Sequence, residues 1–413
     1  MSEFINNVSK ARKEKIKNAL KRVHDGEAYE SVKKDFAEVL SKATAQEISE
    51  IEQSLIADGL PVEDIQYMCD VHVAMFRESL DEQPTPDMLP GHPVYTFRTE
   101  NELVTIILND IRNTIRQLVG NQSEELFIKL KNHIGKLKEF ERHYERKENL
   151  LFSYLEKSDF SGPSSVMWGI HDDIREGWKQ LSSMLAESNQ LDFSDVQTIN
   201  QTFTPIEHMM REMIYKEERI LFPTAIERLA ESEWLAMHAQ EEDFGYSYIQ
   251  RGTQWPPESD KIKVKEINNN NAEKKEISMT SFPLQTGDLS ISQINLMLTR
   301  LPVDITYVDE NDTVLYFSET PERIFKRTAA IIGRKVQNCH PPQSMDKVQQ
   351  ILDDFRSEKR DKAEFWIQME GMFIHIEYFA LRDGDGNYKG ALEVSQELTH
   401  LRELKGERRL LDD

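Results

Sequence analysis

The chain has 413 residues and a formal net charge of −22, from 51 Lys and Arg against 73 Asp and Glu. One hydrophobic core rarely grows past about 250–300 residues, so this length implies roughly two to four domains, and the acidity argues against non-specific binding to nucleic acid or anionic membrane. Cys69 and Cys339 imply no disulfide framework, no apolar run approaches the ~20 residues of a membrane span, and MSEFINNVSKARKEKIKNAL has no apolar signal core, so a reduced, cytosolic protein is expected.

Residues 1–85 read as a helical domain. A helix is expected near Ser31 to Lys42, and Thr44-Ala-Gln-Glu47 is a capping box that opens the next one. Asp58-Gly59 stops that helix and Pro61 opens another, with Ile65, Met68, Val71 and Phe76 on its apolar face. Prolines from Gln83-Pro-Thr-Pro to Gly91-His-Pro forbid helix there. Residues 86–250 then carry four long helical patterns. The first has Phe97, Val104, Leu108, Ile111, Ile115 and Leu118, with Asn101 in the one polar gap. The second runs from about Ser123 to Lys157, the third carries Met167, Ile174, Trp178, Leu181 and Leu185, and the fourth carries Ile206, Met210, Met213 and Ile220. A short helix is expected over about 231–250.

Residues 251–287, with Trp255-Pro-Pro and a run of asparagines, have linker composition. From 288 to 413 the period changes. Strand-like runs occur at Ile305–Val308, Thr313–Phe317, Ala363–Met369, Phe373–Ala380 and Lys389–Val394. Short helices fit Glu322–Thr328 and Ser344–Ser357, and a charged helix is expected from Leu398 to the end. The whole is read as a multidomain chain, all-α first and α+β last.

Two stretches end alike: Arg142-His-Tyr-Glu-Arg-Lys-Glu-Asn-Leu-Leu-Phe-Ser and Arg211-Glu-Met-Ile-Tyr-Lys-Glu-Glu-Arg-Ile-Leu-Phe-Pro. Between them lies the histidine helix Met167–Trp178. Repeated helix ends around a histidine helix suggest an antiparallel four-helix bundle, where inward imidazoles and carboxylates can hold metal. His171 sits four residues from Met167 and three from Ile174; Glu217 sits four from Met213 and three from Ile220. Both therefore fall inside apolar stripes, and a buried carboxylate needs a cation to offset its desolvation. His143 lies at the edge of the buried face. The competing readings are a hydrogen-bonded core histidine for His171, and for Glu217 a pairing with Lys147, its counterpart when Phe152 and Phe222 are aligned. His208 with Glu212, spaced i,i+4, forms an alternative pair, since His208 and Glu217 cannot both point inward on one regular helix.

On these motifs, residues about 92–228 resemble the hemerythrin-like HHE cation-binding family, a four-helix bundle that typically carries a non-haem di-iron centre. The resemblance implies His143, His171 and Glu217 as metal ligands. Three positions depart from it: Lys147 stands where the family has Glu, Met213 where the fourth helix has His, and Asn101 where the first helix has His. Glu148 and His92 are the candidates to supplement the set. Carboxylate and imidazole donors suit iron, though also zinc or manganese.

The amino-terminal region, ending in Gln66-Tyr-Met-Cys-Asp-Val-His-Val-Ala-Met-Phe, resembles the helical domain of unknown function 438. Cys69 and His72 share a helical face and are secondary metal or haem candidates beside an ordinary buried cysteine. Residues from about Ser290 to Leu401 resemble a PAS sensor domain, through Ile305-Thr-Tyr-Val-Asp-Glu-Asn-Asp, Ile332–Pro342 and Gly390–Thr399. Such domains bind a small ligand or cofactor, haem included, or serve as dimer contacts. Cys339 and His340 are further candidates there, against a loop shaped only by its two prolines. The resemblances together imply a cytosolic iron-dependent sensor of oxygen, nitric oxide or redox state, acting through a protein partner or a PAS homodimer. The alternatives are iron storage, delivery or repair of iron centres, and haem binding. No nucleotide loop, nucleophile elbow, kinase signature or basic helix-turn-helix is present, which argues against a conventional enzyme and against direct DNA binding.

Overall fold

The computed structural model describes the backbone of residues 2–41, 43–85, 87–121, 123–187, 193–257, 281–320, 323–369 and 371–407. The chain divides into two compact units, Met1–Lys265 and Glu266–Asp413. The first is helical and the second is built on an antiparallel sheet.

Four helices lead the first unit: α1 Ser2–His24, α2 Tyr29–Leu40, α3 Ala45–Ala57 and α4 Val62–Glu82. The capping box at α3 forms as the sequence implies, Thr44 Oγ1 accepting from Glu47 N at 3.2 Å and Glu47 Oε2 accepting from Thr44 N at 3.1 Å. The apolar faces of these helices make one cluster, which Val166 and Ile220 of the following bundle join. Polar contacts seal the same seam, with Arg77 donating to both oxygens of Glu212 and Tyr215 Oη to Asp81.

The bundle comprises α5 Pro93–Gly120, α6 Glu124–Lys138, α7 Glu141–Arg146, α8 Phe152–Lys157, α9 Gly162–Glu187, α10 Phe193–Lys216 and α11 Phe222–Arg228. Pro93 opens α5 at its first position, and Val104, Leu108, Ile111, Ile115 and Leu118 are all buried, as the period requires. The second helical pattern is not continuous. It bends between Lys138 and Glu141, and at Lys147–Leu151 it widens into a π-helical turn before α8. Glu217–Leu221 does the same between α10 and α11. The two related stretches thus share a backbone irregularity as well as a sequence pattern.

After α12, Glu231–Gln240, the chain folds back on the bundle, Ser247 N donating to Glu100 of α5 and Tyr248 Oη to Lys136 O of α6. Gln254 N and Trp255 N both donate to Pro90 O, and Trp255 is buried although its neighbours have linker composition. Gly91 permits this approach: it has φ +111°, and a Cβ there would lie 2.4 Å from Trp255 O.

In the second unit, a hairpin of β1 Ser281–Leu284 and β2 Gly287–Ser290 leads into α13 Ile291–Leu298, so regular structure begins within the expected linker. The main sheet has the order β4-β3-β7-β6-β5, with β3 Asp304–Asp309, β4 Val314–Phe317, β5 Lys362–Met369, β6 Met372–Arg382 and β7 Tyr388–Glu397. Helix α14, Pro342–Arg356, packs Leu352 and Phe355 against Val308, Val314, Ala363 and Ala391. Two expected helices do not form as read. Residues 323–328 are irregular, because Asp304 Oδ2 accepts from Ile324 N and Arg323 donates to Phe325 O and Ser318 O, which replaces helical pairing. The terminal helix is only Thr399–Glu403, after which residues 404–407 leave helix.

Candidate functional site: a polar layer in the bundle core

A helix normally presents one buried stripe, yet Lys147 and Glu148 are adjacent and both buried. The π turn that begins at Lys147 makes this possible, because the extra residue per turn shifts the stripe's phase. Glu217 begins the matching π turn opposite. The two pair directly, Lys147 Nζ donating to Glu217 Oε1, with both side chains fully excluded from solvent. The ammonium also lies 4.8 Å from the centre of the Tyr144 ring.

His143, from α7, is held between two carboxylates. Its Nδ1 is 2.9 Å from Glu100 Oε2 and its Nε2 is 3.1 Å from Glu217 Oε2. Glu100, from α5, also accepts from Arg146 and, at 2.6 Å, from the backbone N–H of Ser247 in the folded-back segment. Asn101 Nδ2 donates to Glu217 Oε2 at 2.8 Å, so the asparagine serves the same carboxylate as the lysine. On the far side, His171 Nδ1 lies 2.6 Å from Glu148 Oε1, and Arg175 grips both oxygens of Glu148 at 2.9 Å. The His171 ring stacks on Tyr144 at 4.1 Å.

Burial and pairing set the charges. Burial alone would lift Glu217, but Lys147 and His143 hold its pKa down at about 2. Glu148 is lifted to about 7, because burial outweighs the attraction of Arg175. His171 is pushed well below its ordinary value by burial, then by Lys147 and Arg175.

The sequence-derived residues therefore divide. His143 and Glu217 meet, and Glu148 and His171 meet. His92 does not join them: it is the N-cap of α5, its Nδ1 accepts from Val94 N at 3.2 Å, and its ring packs 4.7 Å from both Trp234 and Trp255. Burial draws its pKa down to about 4. Met213 fills the core as an apolar group. His208 is exposed on α10, while Glu212 is committed to Arg77, so the i,i+4 pair does not face inward. The side chains of Cys69 and His72 lie outside the described residues. Sequence reasoning missed Glu100, Arg146 and Arg175. Arg175 stands four residues after His171, a spacing that signals a shared face.

A di-iron centre requires imidazole and carboxylate atoms that converge and are free to bind. Here both nitrogens of His143 and both oxygens of Glu100, Glu148 and Glu217 already have protein partners. Among the described residues, His171 Nε2, Tyr144 Oη, Asn101 Oδ1 and Arg146 Nε in the layer, and both oxygens of the adjoining Glu241, have no hydrogen-bond partner. Among the described residues, no three ligating atoms of this layer lie within 4.8 Å of one another. The layer as arranged does not fit such a centre. The group that meets that distance criterion is Glu364, His375 and Glu377 on the sheet of the second unit, where Lys362 already pairs with both glutamates.

In the second unit Cys339 Sγ approaches Lys335 O at 3.6 Å, and His340 Nδ1 donates to Val336 O at 2.8 Å. The cavity between α14 and the sheet, lined by Val308, Leu352, Tyr378 and Glu393 among others, measures about 20 Å³. That is room for about one water, far below the ~300 Å³ at which small-molecule pockets begin.

Set beside known families, residues 16–82 match the family of unknown function DUF438, residues 92–225 the hemerythrin HHE cation binding domain and residues 294–399 a PAS domain. No curated protein matches the chain. Among solved structures, a C-terminal domain from Streptococcus mutans is 38% identical, matching 30% of this chain and 98% of its own, with a TM-score of 0.30. The PAS domain of a Colwellia psychrerythraea protein is 15% identical over 27% of this chain and 98% of its own, at TM-score 0.23. The PAS domain of Bordetella pertussis BvgS is 16% identical over 27% and 92%, also at 0.23. No helix among the described residues is long and apolar enough to cross a membrane.

Proposed function

From a chain that carries a DUF438 region, a hemerythrin HHE domain and a PAS domain in that order, we propose a cytosolic regulatory protein of the sensor class whose output is self-association through its PAS unit. A PAS domain behind a helical bundle fits the sensor class. The observation that carries the output is α13. Its sequence ISQINLML has no ionisable residue and no buried one. Ile291, Leu296 and Met297 are 39%, 58% and 56% exposed, and Phe282, Leu284 and Leu301 beside it in the chain are exposed as well. Contiguous exposed apolar groups of this kind mark an interaction surface. A chain of net charge −22 repels its own copies at most surfaces, so an uncharged apolar helix is where a second copy can seat. Sedimentation equilibrium of the full chain is expected to give dimers, and the double substitution Leu296→Glu, Met297→Glu to give monomers. Wild type that stays monomeric throughout the micromolar range, or a double variant that dimerises equally well, would overturn this reading.

A second reading rests on the match to a cation-binding family: iron in the bundle, sensing oxygen, nitric oxide or redox state, or being stored, delivered or supplied for repair. It would use His143, His171, Glu148 and Glu217, and it requires Lys147 to leave Glu217 and Arg175 to leave Glu148. Haem at Cys339 and His340 would need the second unit's cavity to enlarge many-fold.

A further inference from the structure

We infer that the bundle's polar layer is a metal-independent ion-pair core, in which Lys147, Arg146 and Arg175 take the place of bound cations and Lys147 is the residue that excludes one.

Three buried carboxylates of the layer are each paired with a protein cation, Arg175 serving Glu141 and Asp172 as well and Arg146 lying 4.0 Å from buried Glu241. Glu100 is paired with Arg146, Glu148 with Arg175 and Glu217 with Lys147. Within these three pairs positive charge matches negative charge without any metal ion. Adding a divalent ion would bring uncompensated charge into a water-poor interior, where it is costly. The geometry agrees with the charge count. Glu217 spends Oε1 on Lys147 and Oε2 on His143 and Asn101, which leaves no oxygen pointing at a shared centre. His143 lies between its two carboxylates, so they bind opposite edges of the ring and do not converge.

Lys147 is the decisive member because of the internal repeat. It starts one π turn, Glu217 starts the other, and the two side chains meet. Were both positions Glu, the layer would carry two facing carboxylates with no cation between them. One Lys at one of two equivalent positions therefore converts a cation-demanding core into a closed one.

The test follows the thermal unfolding of the full chain, in a His375→Ala background so that the sheet cluster Glu364, His375, Glu377 cannot contribute. Without the Lys147 change, the midpoint is expected to be the same with EDTA and with excess Mn(II) or Zn(II). Lys147→Met, which keeps the volume and removes the charge, should lower it by roughly 10 °C in EDTA, as loss of one partner from a buried pair does. Lys147→Glu should be destabilised in EDTA and recover by several degrees in Mn(II) or Zn(II), because a ligand that binds only the folded state stabilises it. If the Lys147→Glu chain does not fold, the other two proteins still decide the matter. A midpoint that falls with EDTA while Lys147 is present would overturn the inference. So would a Lys147→Met chain as stable as its parent.

Discussion

Glu241 is the buried carboxylate that the layer leaves over. Neither of its oxygens has a hydrogen-bond partner, and the nearest paired nitrogens are His238 Nδ1 at 3.8 Å and Arg146 Nε at 4.0 Å. Burial therefore lifts its pKa from 4.5 to about 7 against the pull of Arg146 and Arg251. A carboxyl that binds its proton more tightly when folded stabilises the fold below pH ~4.5, and loses that contribution as pH rises through ~7. Glu241→Gln, which resembles the protonated acid, should match wild type near pH 4.5–5 and exceed it at pH 8 by up to about 3 kcal/mol in denaturant melts. A difference that does not change with pH would contradict the assignment. Glu148 is raised for the same reason in both proteins, so the comparison isolates Glu241. At this scale the sequence was readable where periodicity speaks. His171 and Glu217 interrupt apolar stripes and are buried, and the rival pairing of Lys147 with Glu217 was visible from the repeat. Glu100 and Arg146 were not readable, because each adjoins other polar residues and looks like part of a solvated face. His92 was misleading: a histidine at a helix start looks the same whether it binds metal or caps, and its partners Trp234 and Trp255 lie more than a hundred residues away.

Helix existence was legible, but helix continuity was not. The apolar stripe from Ser123 to Lys157 predicts one rod, whereas the chain bends after α6 and widens at Lys147–Leu151. Periodicity averages over a turn and cannot register one extra residue, yet that residue brings Lys147 and Glu148 inside together. Crossing distance is equally invisible from one strand of sequence. Gly177 of α9 faces Ile206 of α10 so closely that a Cβ would lie 2.5 Å from Ile206 Cγ1. On propensity alone, Gly177→Ala should stabilise a helix by about 1 kcal/mol. In this bundle it is expected to destabilise by ~1–3 kcal/mol, because buried Ile206 must be displaced. Chemical denaturation measures it, and a stabilised variant would show that the two helices are not in contact there.

Two compact units organise the whole molecule, and their chemistry differs. In the sheet unit, the alternating runs read from sequence correspond to β3, β4, β5, β6 and β7, because strand period and turn residues are local signals. The hairpin and α13 escaped notice because they follow directly on a stretch of linker composition. In the helical unit, the family resemblance identified the architecture, but ligand chemistry depends on single positions. Lys147, Met213 and Asn101 are the three that differ, and all are buried where they stand. The account's central claim is that protein cations, not metal, balance the carboxylates of this bundle. Its most direct test is elemental analysis and absorption spectroscopy of the full wild-type chain purified without oxygen. The account predicts iron far below one per chain and no near-ultraviolet oxo-bridged iron band. Iron at one or two per chain, lost in His171→Ala and Glu217→Ala, would contradict it.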